Sequence, residues 1–193
     1  CEIKSKRNTK VNPCLSCNMN RMYTVPEFGL ETINLSELVS KKRIKEIESL
    51  AKNLMFHNPK RYEYKGIDIT RIVDDSVVRY FYGGVPDDTS KELEEVRLKY
   101  LITTLIGFEA AESIQERWSP DVVFGNMEVY ADWAPYHKYF VSKGVKSSTV
   151  SISQFNYKAV LINQNDLFIS NIRYKNWQRA RKNKGLTGKE YSD

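Results

Sequence analysis

The sequence predicts an α/β fold: a doubly wound, mostly parallel sheet flanked by helices. Two observations carry this. A strand-like run, a helix with proline in its first turn, a glycine stop and a second strand follow one another within residues 121–153, the order of a βαβ unit. Ahead of them stand three segments with apolar residues at helical spacing, placed to cover the faces of such a sheet. The 193 residues suit one domain or one and a half. Apolar residues at 41 % and aromatics at 12 % fill a core at this size, which excludes wholesale disorder. Three cysteines are too few for a disulfide framework, and the apolar runs are too short to span a bilayer.

Residues 1–34 read as an irregular leader carrying Cys1, Cys14 and Cys17 with no sustained period. Ser36 or Ser40 can cap a first helix that reaches about Met55, with Ile44, Ile47, Ala51 and Leu54 on one face and Pro59 closing the segment. Ile69, Ile72, Val73, Val77, Tyr80 and Phe81 predict a second helix over 67–82, stopped by Gly83-Gly84. Asp87 to Ser90 offer caps for a third helix with acids in its first turn and a wide apolar stripe through Leu93, Leu101, Leu105 and Phe108, stopped by Ser119-Pro120.

Val122-Val123-Phe124 is a short apolar run, as expected of a strand buried on both faces. Asp132 is expected to cap the next helix, with Pro135 in the first turn and Gly144 at the left-handed C′ position. Residues 145–153 are β-branched and alternating, a second strand, and 158–163 supply a third. Three strands are few for such a sheet, and residue 1 is Cys rather than Met. We therefore expect a piece of a larger product. Residues 171–193 read as a basic connector that ends in a linker-like Gly185-Leu186-Thr187-Gly188.

Three places hold candidate chemistry. Cys14-Leu15-Ser16-Cys17 is a CxxC pair with Cys1 thirteen positions earlier, a spacing at which thiolates share a tetrahedral zinc; His57 or an upstream cysteine would close the set. Redox use of the pair is weaker, because it stands in a Pro- and Asn-rich loop rather than at a helix start, and three free thiols are the plain alternative. The loop 125–133 leaves the carboxyl end of a strand, where open α/β sheets bind ligands. In it Glu128 suits a general base, a reading that stands level with a purely structural role in a tight loop, and Tyr130 and Trp133 offer flat faces for a sugar ring. The plain alternatives are a cap for Asp132, the better reading of that residue, and packing for Trp133. Arg79, before the Gly83-Gly84 stop, would pair with an anion if it faced a cleft, and is otherwise a surface arginine. His57 and His137 are read as solvent or packing residues. The basic tail around Trp177 could touch phosphates or an anionic membrane. It carries no sequence-reading motif, and a solvated helix face is the more common meaning of such a run. With the cysteines, the tail supports the alternative reading, a non-catalytic metal-stabilised module that binds nucleic acid or an anionic membrane, although nucleic acid is the less expected partner of the chain.

The order of these motifs resembles the N-terminal, acceptor-side part of bacterial glycosyltransferase-like proteins of capsule and surface polysaccharide synthesis, of the GT-B type. Cys1 with Cys14-Leu15-Ser16-Cys17, the helical block ending near Arg79-Tyr80, the run Ser119-Pro120-Asp121-Val122-Val123-Phe124-Gly125-Asn126 and the tail Trp177-Gln178-Arg179 carry the resemblance. It implies a Rossmann-like acceptor domain over 35–170, with a nucleotide sugar donor bound by a second domain beyond this chain. It further implies a saccharide or lipid-linked acceptor, a cytoplasmic place with peripheral contact at the inner membrane, and little activity of this piece alone. Under the resemblance Glu128, with Asp132 second, takes the acceptor proton, Tyr130 and Trp133 stack on the acceptor and Asn126 hydrogen-bonds to it. The donor sugar, the stereochemical outcome and any divalent ion lie outside the motifs.

Overall fold

In the computed structural model, residues 31–58, 60–87, 89–125, 128–152 and 159–164, with Met22, Glu27 and Gly29, are described. They form a mixed α/β structure dominated by helices. A short helix α1 (Leu35–Leu38) leads into α2 (Lys41–His57), then a small hairpin of β1 (Glu63–Tyr64) and β2 (Ile67–Asp68). Helices α3 (Thr70–Tyr80) and α4 (Lys91–Trp118) follow. The sheet segment comprises β3 (Val122–Gly125), α5 (Ala134–Ser142), β4 (Lys146–Ile152) and β5 (Ala159–Gln164).

Helix α4 is the axis of the molecule. Its 28 residues span about 42 Å at 1.5 Å per residue, and α1, α2, α3 and α5 all pack along it. Ser90 caps it by accepting from the Leu93 N–H, as Ser40 caps α2 by accepting from the Arg43 N–H at 3.2 Å. Because neighbours lie on several sides, its buried residues form more than one stripe, Gly107 and Ala110 among them. A Cβ on Gly107 would stand 2.8 Å from the Pro135 side chain. This glycine sets how closely α5 crosses α4.

The second helix begins later than its apolar spacing suggests. Residues 63–68 instead form the hairpin, turned by Lys65 (φ 50°) and Gly66 (φ 75°), the two positive dihedrals of a tight hairpin turn. Asp68 accepts from the Thr70 N–H at 2.9 Å and starts α3. Glu109 of α4 anchors this hairpin: it binds Arg43 of α2 at 2.8 Å, Lys65 at 2.8 Å and the Tyr64 hydroxyl at 2.5 Å. Burial pushes the Glu109 carboxyl up, but these donors outweigh it and hold it down to about 2. Burial, with Glu109 alongside, pushes the Tyr64 phenol up to about 12.

The sheet departs from expectation in three ways. β3 pairs with β4 in parallel, Val122 opposite Lys146 through Gly125 opposite Thr149, but β5 pairs antiparallel to β4, Ser147 opposite Gln164. The order β3-β4-β5 places β3 outermost among the described strands. It is not buried on both faces, since Val122 is 41 % and Phe124 66 % exposed. Helix α5 supplies the main helical cover of the sheet, while α2 and α3 pack on α4 instead. A short apolar run and an alternating run carry no signal for strand direction or for which strand is outermost.

A candidate site at the loop between β3 and α5

The loop from β3 to α5 is tied down from α3. The Ser76 hydroxyl accepts from the Ala131 N–H at 2.8 Å and donates to the Ile72 carbonyl at 2.6 Å, all within the interior. Tyr130 adopts φ 75°, a left-handed conformation that costs a non-glycine residue about 1–2 kcal/mol. Its carbonyl accepts from Trp133 and Ala134 at 3.2 and 2.9 Å. The Arg79 guanidinium, in the last turn of α3, lies 4.5 Å from the Tyr130 ring centre. Two residues named from the sequence as ligand-binding candidates, Arg79 and Tyr130, are thus stacked on each other.

Glu128 does not face solvent. Its residue exposure is 4 %, equal to that of His137 and Ser147. His137 Nε2 lies 3.8 Å from Glu128 Oε2, and His137 Nδ1 lies 2.6 Å from Ser147 Oγ. The loop supplies the acid, α5 the imidazole and β4 the hydroxyl, so all three elements of the β3–α5–β4 unit meet here. α5 is buried nearly all round, between α4 and the sheet, and carries His137 inward. Burial, and then the neighbouring Lys138 charge, push the His137 imidazole down to about 4. The ring is therefore neutral at pH 7 and holds one N–H. Nδ1 and the Ser147 hydroxyl share a hydrogen bond whose direction follows the tautomer, and Nε2 faces the carboxyl.

The other expectations fall out differently. Asp132 does not cap α5: the residue before the helix is Trp133, whose side chain makes no capping hydrogen bond. Asp132 is exposed, and Trp133 is 43 % exposed. Pro135 does stand in the first turn, and Gly144 takes φ 77° after the helix. Asn126, Cys1, Cys14 and Cys17 lie outside the described residues, as does the basic tail. The zinc set proposed for the cysteines therefore falls there too. Among the described residues no group of three or more His, Cys, Asp or Glu side chains is placed to hold a metal. His57 is exposed, with Nδ1 3.0 Å from its own helix carbonyl at Asn53. No helix among them is long and apolar enough to cross a membrane.

His137, Ser147 and Ser76 are the residues that sequence reasoning passes over. His137 looks like a packing residue because it sits amid Tyr136, Tyr139 and Phe140. Only the strand register brings Ser147 beneath it. No protein-family model, curated protein or solved structure matches this chain.

Proposed function

We propose that the chain is the acceptor-binding half of a glycosyltransferase that moves a sugar from a nucleotide donor to an acceptor hydroxyl in surface polysaccharide synthesis. In this reading the three strands belong to a Rossmann-like sheet, and the donor is bound by a domain outside the chain. The protein then works on the cytoplasmic side, in peripheral contact with the membrane that carries its acceptor. One observation supports the reading most: the loop at the carboxyl end of the parallel strand β3 sets a glutamate in the interior beside a neutral imidazole.

The step balances as follows. The acceptor O–H breaks and its proton passes to Glu128. A bond forms from the acceptor oxygen to the anomeric carbon, and the bond from that carbon to the nucleoside diphosphate breaks. An acceptor reaches this carboxyl by drawing it from beside His137, and the exposed Trp133 ring is the nearest residue in sequence that can hold a sugar face. Asp132, exposed and joined to no cap, is second to Glu128 as base.

The test is Glu128→Gln in the full-length protein. Nucleoside diphosphate release is followed across a panel of nucleotide sugars with oligosaccharide acceptors. A loss of about 100-fold or more in kcat, with an unchanged unfolding temperature, is expected of a missing general base. A wild-type rate overturns the reading. Trp133→Ala is expected to raise KM for the acceptor and leave kcat near its original value.

A further inference from the structure

A groove of about 760 Å³ lies between α2, α3 and the first turns of α4. None of its described lining residues belongs to the β3–α5–β4 unit. The volume is that of a small-molecule site. Its lining is of two kinds. Met55, Phe56, Leu93 and Leu98 form an apolar wall, on which the Phe56 ring stands 83 % exposed. Among the described residues the charged lining is Lys52, Lys60 and Arg97 against Asp74 and Glu94, one positive charge in excess.

These charges are not equivalent. Arg97 pairs with Asp74 at 3.7 Å and hydrogen-bonds the Tyr62 phenol, so it is part of the framework. Lys52 and Lys60 are both exposed and make no ion pair among the described residues. Two lysines that line one groove with an exposed ring and an aliphatic wall match a ligand with an anionic head and an apolar body. A phosphate monoester answers both halves, since its dianionic head can be shared by two point charges.

We infer that this groove binds a small amphipathic phosphate monoester, its head on Lys52 and Lys60 and its body against Met55, Phe56 and Leu98. Such a head occurs on soluble molecules and on lipids alike. The inference stands apart from the transfer chemistry above and does not depend on it.

Calorimetric titration of the whole chain with phenyl phosphate tests it, with inorganic phosphate and phenol as half-ligands. Phenyl phosphate is expected to bind at least tenfold tighter than either. The double variant Lys52→Glu/Lys60→Glu should weaken it tenfold or more. Phe56→Ser should weaken phenyl phosphate and leave inorganic phosphate as it was. All three positions are exposed, so the unfolding temperature serves as a control on the fold. Sedimentation with phosphatidylcholine vesicles containing phosphatidic acid separates the sources. Capture that needs both lysines assigns the head to a lipid, and binding of phenyl phosphate without capture assigns it to a soluble molecule. Binding that survives the double variant, binding no tighter than inorganic phosphate, or no binding in either arm overturns the inference.

Discussion

Ser76 shows how much one side chain can carry. Its hydroxyl is the only described partner of the buried Ala131 N–H, and it spends its own proton on the Ile72 carbonyl. Ser76→Ala leaves that amide without an acceptor, a loss of about 1–3 kcal/mol. Urea unfolding should show this loss, and hydrogen exchange at Ala131 should accelerate with it. A variant as stable as the parent, with Ala131 still protected, would show that the loop is held by other means. None of this is visible in the sequence. A serine within an apolar helical stripe reads as a tolerated polar residue, and its partner lies 55 positions away. Glu128 was legible as a candidate because its loop leaves a strand end. Its burial was not, since it depends on the depth at which α5 lies.

At the scale of elements, local chemistry was the readable part. Ser40 and Ser90 start their helices as side-chain caps, Pro135 stands in the first turn of α5, and Gly83 and Gly144 take φ 87° and 77° beyond their helices. These depend on residues within one turn of each other. The hairpin was missed because two-residue strands are too short to show a period, and its one signal is the glycine of Lys65-Gly66. Asp132 met the composition rule for a cap but not its geometry. The direction of β5 was unreadable, as alternation is the same in parallel and antiparallel pairs. The crossing of α4 and α5 rests on Gly107. Gly107→Ala gains helix propensity but drives a methyl onto the Pro135 ring, and overpacking of this kind costs about 1–3 kcal/mol. The measured unfolding free energy should fall by that amount. A rise would mean that α5 shifts freely on α4.

For the whole molecule, pH dependence follows from two groups on different helices, His137 on α5 and Glu109 on α4. His137 has its pKa lowered from 6.5 to about 4. Between those values the unfolded chain binds the proton more readily, so stability is complete above about pH 6.5 and falls as pH drops toward 4. That limb amounts to about 3 kcal/mol from the size of the shift. Glu109, lowered from 4.5 to about 2, adds a second limb of the same sign: its contribution is present above pH 4.5 and lost as pH falls toward 2. Unfolding followed from pH 8 to 2 should show both declines. His137→Gln should remove the upper decline and Glu109→Gln the lower, each leaving the other in place. A stability profile flat from pH 7 to 5 in the wild-type protein would contradict the burial of His137.

The β3–α5 loop matters here because its acid is held in the interior against an uncharged ring. Nitrogen-15 chemical shifts of the His137 imidazole read that state atom by atom. A neutral ring that persists until the pH approaches 4 is the expected spectrum. A ring that titrates near 6.5, as a solvent-exposed histidine does, would show that Glu128 and His137 face water and have no sheltered chemistry to perform.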